Sequence, residues 1–444
     1  MRKLLRFLAG FAVAAVFAAI TYWGWAYLNQ PQDEAPWPAI IQGFSFAPYQ
    51  VNQDAILGQL PSEAEIDSDL KLLEGKTHSV RSYQSTGSIG AIPRLAAERK
   101  LNVALGIWID RDPVRNEAEI TAGIELTRKY RNVVRVIVGN EAVLRGEVTV
   151  DEISKMLDRV RANVRRPVST AEPWHVWLRY PELADHVDFL AVHMLPFWEG
   201  IDVNTAIDYI DDKMLRLREA FPGKKIVIAE VGWPSEGRTR ENAVASTQNE
   251  AQFLRRFIAQ AEKEGYVYYV MEAFDQPWKA QTEGGVGAYW GVYNVLRQPK
   301  FVFTEPIVRV PQWQLLAGIS VAIAAMVLAV FFANSGTMGT RGRTFMALVV
   351  YAVATTSVYI IYDYTRQYVT VTSVVVGTFL IIGMLGVVAV LLAEAHEWAE
   401  AHWVSARVRM FSPSADGSFF PKVSIHVPAY NEPPDMLIQT IEAL

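Results

Sequence analysis

The 444-residue chain contains no cysteine. Disulfides and thiolate metal sites are therefore excluded, and any part of it outside the cytoplasm must be held together by an apolar core. Charge is sparse as well: charged residues make up 20% of the chain, and 42 basic against 47 acidic side chains leave a net charge of −5. With no Lys/Arg-rich stripe, the chain lacks the electrostatic footprint of a nucleic-acid partner. Also missing is a glycine-rich turn after the first strand, where Gly43-Phe44-Ser45 stands. An open doubly wound nucleotide-binding sheet, the alternative to a closed barrel, would need one. No cofactor and no metal are expected. Asp185, His186 and Asp188 cluster on paper, but alternate residues of a strand face opposite ways.

What the chain has in abundance is long apolar runs. Phe7 to Leu28 is uncharged, follows Arg2, Lys3 and Arg6, and exceeds the roughly 7 to 15 residues of a secretory signal core, so it reads as an anchor that is not cleaved. Tyr22, Trp23, Trp25 and Tyr27 gather at its far end, as amphipathic rings do at a headgroup zone. Three further runs, Trp313 to Ala333, Phe345 to Tyr362 and Val369 to Ala393, are long enough for a hydrocarbon core of roughly 30 Å. Four crossings return both termini to one side. Arg2, Lys3, Arg6, Arg341, Arg343, Arg407 and Arg409 all fall on that side, which marks it as cytoplasmic. The expected organisation is a basic end plus anchor at 1–36, an extracytoplasmic domain at 37–310, three membrane helices at 311–395 and a cytoplasmic segment at 396–444.

Within 37–310, short apolar runs alternate with longer amphipathic ones, the pattern of a parallel sheet covered by helices. Eight strands are predicted: Ile40 to Phe46, His78 to Tyr83, Asn102 to Ile109, Val133 to Val138, Pro167 to Ala171, Val187 to His193, Lys225 to Ala229 and Tyr268 to Phe274. Eight is the number that closes a (β/α)8 barrel, the predicted fold class. Ser62 with Glu65 and Thr149 with Glu152 have capping-box spacing and mark helix starts. Helices are also expected over Asn204 to Phe221 and Ala245 to Glu264.

The strands end in residues that bind or react: Ser45, Arg81 and Tyr83, Trp108 and Asp110, Asn140 and Glu141, Glu172, His193, Glu230, and Glu272 with Asp275. In a (β/α)8 barrel those C-terminal ends build the active site. Glu141 and Glu230 are about ninety residues apart, on the fourth and seventh strands, nearly opposite each other across the mouth. Two carboxylates so placed suit glycosidic bond cleavage, one donating a proton to the leaving oxygen and the other attacking the anomeric carbon or activating water. Trp108, Trp174, Trp198, Trp233, Trp278 and Trp290 supply flat apolar faces for sugar rings, although packing is the commoner use of any one of them.

Val-Gly-Asn-Glu141, Ala-Glu230-Val-Gly-Trp233-Pro-Ser and Glu272-Ala-Phe-Asp275-Gln-Pro-Trp278-Lys279, followed by Tyr289-Trp-Gly-Val-Tyr, resemble the glycoside hydrolase family 17 signature of β-1,3-glucanases. The resemblance spans about Ile40 to Phe303. It implies a retaining enzyme with Glu141 as acid/base, Glu230 as nucleophile and Asn140 on the sugar 2-hydroxyl. Arg81, Tyr83, Glu272 and Lys279 match further positions of the family pattern, with His193, Trp233, Asp275 and Trp278 as added substrate contacts. One departure stands out. Plant members have Tyr-Pro-Tyr after the sixth strand where this chain has Leu195-Pro196-Phe197, which leaves open which group orients the nucleophile.

Pro421-Lys-Val-Ser-Ile-His-Val-Pro-Ala-Tyr-Asn-Glu-Pro-Pro434 reads as a strand, a turn and a helix start near Met436, and resembles the first strand of family 2 glycosyltransferases. The acidic motifs that hold a metal and diphosphate do not occur within these residues, so a nucleotide-sugar is expected as a partner only of a longer form. The combination is similar to bacterial β-glucan synthase fusions. It implies a multi-pass inner-membrane protein with a periplasmic barrel that acts as a β-1,3-glucan hydrolase or transglucosylase. A plain endo-glucanase and a non-catalytic glucan-binding or export domain are the alternatives.

Overall fold

Eight short strands of the computed structural model pair in parallel, in chain order, and the first closes on the eighth. The structure describes residues 2–334, 338–368, 371–404, 418 and 422–443. The strands are β1 (Ile41–Ser45), β2 (Thr77–Arg81), β3 (Asn102–Ile107), β4 (Val133–Asn140), β5 (Val168–Pro173), β6 (Phe189–Met194), β7 (Lys225–Val231) and β8 (Val267–Val270). The predicted (β/α)8 barrel is therefore the fold. Strands covered on both faces need apolar residues at consecutive positions, and β6 is buried along its whole length.

Helices cover the outside. Both capping boxes are present: Ser62 starts the helix Glu63–Leu73 and Thr149 starts Val150–Asn163, each with its glutamate returning to the cap backbone. Ala206–Ala220 and Thr247–Glu264 lie within a few residues of the predicted spans. Their buried faces join the strands in one cluster that includes Ile66, Leu70, Leu157, Leu190, Leu217, Ile228 and Phe257. Truncating any such aliphatic side chain to alanine costs about 2–5 kcal/mol, because the packed shell only partly closes over the cavity. Inside the barrel a second cluster of mostly small residues, Ala104, Ala171, Ala191 and Ala229 with Ile137, Phe189, Val227 and Tyr269, fills the narrow lumen.

The ladder slips where it matters. Val192 pairs with Ile228, but His193 pairs with Glu230, so β7 carries one extra residue at its C-terminal end. On β4 a second slip falls between Ile137, opposite Ser169, and Asn140, opposite Ala171. A bulge re-aims the residues that follow it. Both strands that deliver the candidate glutamates are bulged just before the delivery point.

Among the described residues, four helices are long and apolar enough to cross a membrane: Leu8–Leu28, Trp313–Ala333, Thr340–Arg366 and Val371–Trp403. The chain separates into two compact units. The larger holds Ala18–Ile323 with Val353–Met384, thus the barrel together with parts of these helices. Within it, Trp25, Val310, Leu316, Ala317 and Val358 form a separate apolar cluster, and Asn29 Oδ1 accepts the Val310 amide at 2.8 Å. The smaller unit holds Met1–Phe17, Ala324–Ala352 and Leu385–Leu444. In it, Tyr351 donates to the Ala14 carbonyl at 3.0 Å and Phe345 packs on Trp398 and Trp403.

The strand expected near the C-terminal end does not form over 422–430, although a helix runs over Pro434–Glu442. An extended segment needs a neighbour for its amides, and among the described residues none pairs with it. Val369, Arg407, Arg409 and Pro421 lie outside the described residues.

Candidate active site

The chain leaves β4 through Gly139 at φ +80° and Glu141 at φ +54°. Glycine meets the first requirement without penalty, whereas a side chain in the left-handed region at Glu141 costs roughly 1 kcal/mol or more. The Glu141 amide is held by the Ala171 carbonyl at 2.7 Å. Arg145 secures the turn by donating to the Asn140 carbonyl, and its guanidinium lies 4.9 Å from the Trp108 ring centre. Beneath them the wholly buried Glu172 accepts the amides of Val143 and Leu144 at 2.8 and 3.2 Å. Burial pushes the Glu172 carboxyl up to about 7, even though those two hydrogen bonds act in the opposite direction.

Across the mouth, Glu230 is 4% exposed. Its Oε1 accepts from Arg81 Nη1 at 2.6 Å and from the Tyr83 hydroxyl at 2.8 Å. The other end of the Arg81 fork reaches Asn140 Oδ1 at 2.5 Å. One guanidinium thus fixes the candidate nucleophile and the residue beside the candidate acid. His193 stands between the two carboxylates, with Nδ1 2.6 Å from Glu141 Oε1 and 3.5 Å from Glu230 Oε2. One oxygen of each glutamate and the His193 nitrogen lie within 4.8 Å of one another. That spacing would also admit a cation; Glu230 Oε1 already accepts from Arg81 and Tyr83.

Burial alone would raise the Glu230 carboxyl, but His193 when protonated, Arg81 and Lys279 outweigh it and hold the group well below the usual carboxylate range. The Glu141 side chain is 24% exposed against 6% for Glu230. Glu230 is thus the more enclosed of the two.

Glu272 follows β8 and is fully buried, with Lys279 Nζ on its Oε1 at 2.7 Å. Burial brings it up to about 7 against the pull of that ammonium. Trp278 is half-buried at the rim, edge-on to Tyr49 with centroids 5.7 Å apart, and its indole donates to Gln276 at 2.9 Å. Arg81, Tyr83, Asn140, Glu141, His193, Glu230, Glu272 and Lys279 are thus gathered in one electrostatically connected group.

Two expected substrate contacts lie elsewhere. Trp233 is completely buried, packed on Phe197 and Phe253, with its indole donating to the Val244 carbonyl at 2.9 Å. It shapes the wall and presents no ring face to a sugar. Asp275 is also completely buried and belongs to a separate cluster around Lys300. Sequence reasoning missed Arg145 and also Glu119, which is buried and accepts the amides of Ser85, Thr86 and Trp108, bracing the loops after β2 and β3. An acid on the covered face of the helix Pro113–Lys129 was the available signal for Glu119.

A family profile described as the BtgE/BtgC glycoside hydrolase domain matches residues 43–291. Glucan 1,3-beta-glucosidase of Arthroderma benhamiae is 28% identical over 267 residues, which is 55% of this chain and 85% of that protein. Glucan endo-1,3-beta-glucosidase btgC of Emericella nidulans is 27% identical over 59% of this chain, but the match spans only 45% of that longer protein. Among solved structures, the glycoside hydrolase family 17 beta-1,3-glucanosyltransferase of Rhizomucor miehei superposes with a TM-score of 0.52 at 26% identity, covering 58% of this chain and 95% of that one.

Proposed function

This chain belongs to the BtgE/BtgC glycoside hydrolase family, and from that premise we propose that its barrel cleaves and rearranges β-1,3-glucan with retention at the anomeric carbon. The observation that carries the reading is the Glu141–His193–Glu230 cluster, with carboxylate oxygens within 4.8 Å. Retaining pairs stand about 5–5.5 Å apart, whereas inverting pairs need about 6.5–9.5 Å to admit water between them.

In this reading Glu141 protonates the glycosidic oxygen as Glu230 attacks the anomeric carbon, giving a glycosyl ester on Glu230 and a released glucan. Glu141, now a carboxylate, takes a proton from an incoming hydroxyl, which displaces Glu230 and restores both groups. Arg81 and Tyr83 keep Glu230 ionised and aimed, and Asn140 binds the sugar 2-hydroxyl. His193 replaces the ring hydroxyls absent at Leu195 and Phe197. Trp278 with Lys279 and Glu272 forms the β8 wall of the sugar site.

The incoming hydroxyl decides the product: water gives hydrolysis, and a second glucan gives transfer. Transfer is supported by likeness to a named glucanosyltransferase, and the four long apolar helices support action beside a membrane. The proposed setting is a bacterial inner membrane with the barrel in the periplasm, residues 1–6 and 396–444 in the cytoplasm, and a segment resembling the start of a family 2 glycosyltransferase within 396–444. Incubating the membrane-embedded protein with laminari-oligosaccharides tests the reading. Products longer than the donor support transfer, shorter products alone leave a hydrolase, and tight binding without turnover overturns the catalytic assignment.

A further inference from the structure

A tyrosine from the connection between two of the apolar helices is seated in the barrel. Tyr368 follows the helix Thr340–Arg366 and stacks on Tyr289 with ring centres 4.9 Å apart and planes 4° from parallel. Its backbone amide donates to the Tyr289 hydroxyl at 2.7 Å. Its own hydroxyl donates to Asp275 Oδ2 at 2.6 Å and accepts the Val295 amide at 3.2 Å. Two residues earlier, Arg366 reaches Thr247 Oγ1 at 3.3 Å. All of these groups fall within the larger unit.

The seat is built of buried charge. Lys300 Nζ contacts Asp275 at 2.9 Å, Glu250 at 3.2 Å, Ser235 Oγ at 2.8 Å and the Tyr289 carbonyl at 3.0 Å. Asp275 and Glu250 are both fully buried and share that one ammonium, so a further donor to Asp275 has high value. The Tyr368 hydroxyl supplies it. Asp275 also accepts the Gly291 amide at 2.8 Å, at a place where a Cβ on residue 291 would stand 2.1 Å from the Asp275 nitrogen. The next residue, Gln276, bonds to the Ala47 carbonyl and orients the Trp278 indole. A continuous chain of contacts therefore runs from Tyr368 through Asp275 and Gln276 to Trp278 and Lys279.

We propose that Tyr368 is a latch by which the connection between the third and fourth apolar helices fixes the β8 loop, so that glucan affinity of the barrel depends on its membrane section. The part concerning affinity rests on the glucan reading above, while the docking itself does not. Tyr368 is a positioning residue. Losing it loosens the loop that carries Trp278 without touching the two glutamates, so binding suffers more than chemistry.

The test uses the full chain in membrane nanodiscs and has two arms. In the cysteine-free background, Thr247→Cys with Arg366→Cys, a neighbouring pair that leaves Tyr289 and Tyr368 in place, is treated with a short bis-maleimide, and cross-linked peptides are identified by mass spectrometry. Docking predicts a peptide joining the two positions; two accessible thiols with no cross-link overturn it. In the second arm, Tyr368→Ala is expected to raise KM for laminari-oligosaccharides about 5- to 20-fold with kcat within about 2-fold, the worth of one or two hydrogen bonds and a ring stack. Tyr368→Phe retains the stack and should fall between. KM unchanged in both variants, or kcat falling as much as kcat/KM with KM unmoved, overturns the latch. An inactive wild type together with a cross-link would defeat the glucan reading and the affinity part while leaving the docking in place.

Discussion

Removing Arg81 exposes the electrostatics of the proposed nucleophile most clearly. Its guanidinium is 1% exposed and 2.6 Å from Glu230. With charge centres about 4 Å apart and an effective dielectric of about 20, the attraction is about 4 kcal/mol, or about 3 pH units on the carboxyl. Tyr83 and Lys279 remain in Arg81→Met, so the acidic limb of kcat/KM should rise by about 1–2 pH units, with Arg81→Lys closer to wild type. The sign for stability follows from the same depression. An acid whose folded pKa lies below its unfolded value stabilises the fold above about pH 4.3, and that contribution fades as pH falls through the folded pKa. Arg81→Met should therefore lose about 3–5 kcal/mol near neutral pH, with the gap to wild type shrinking below about pH 4. The assay is a pH–rate profile on laminari-oligosaccharides paired with denaturant unfolding. Acidic limbs that coincide in wild type and Arg81→Met would refute the argument.

Glu141→Gln and Glu230→Gln should each lower kcat about 10²-fold or more, measured by release of reducing ends; near-wild-type turnover in either removes it from the mechanism. His193→Phe deletes the nitrogen that touches both acids, and a loss of about 10- to 100-fold in kcat/KM is expected, with the pH profile altered as well. Gly139→Ala forces a Cβ onto a backbone at φ +80°, and its thermal midpoint should fall by an amount corresponding to about 1–3 kcal/mol. Glu172, pushed up to about 7 by burial, keeps its proton in the fold where the unfolded chain has lost it. It therefore costs stability as pH rises from about 4.3 to 7, and Glu172→Gln should flatten the fall in denaturant midpoint across that range.

The fold was legible because each strand is a short run of buried apolar residues and because Ser62 and Thr149 carry helix-start chemistry within a few neighbouring positions. The meeting of Glu141 and Glu230 at one mouth was legible for a related reason: each follows a short apolar strand, and parallel strands of a barrel end at the same rim. What escaped was whatever depends on register and on distant partners. The bulges before Asn140 and Glu230 leave no mark in composition, since one extra residue in a buried strand is still an apolar residue. Trp233 and Asp275 sit in motifs with reactive neighbours, yet each turns into the core. For Asp275 the deciding partners, Lys300 and Tyr368, lie 25 and 93 positions away. The strand expected before Met436 shows the converse, a pattern suited to a sheet that finds no partner among the described residues.

Trapping the glycosyl-enzyme tests the central claim most directly. A 2-deoxy-2-fluoro-laminaribiosyl fluoride slows departure of the sugar from the enzyme, and digestion with mass spectrometry then locates the ester. The account predicts one added glycosyl group on the peptide containing Glu230, absent in Glu230→Gln. An adduct on a different residue, or a first-formed product of inverted anomeric configuration by NMR, would contradict it.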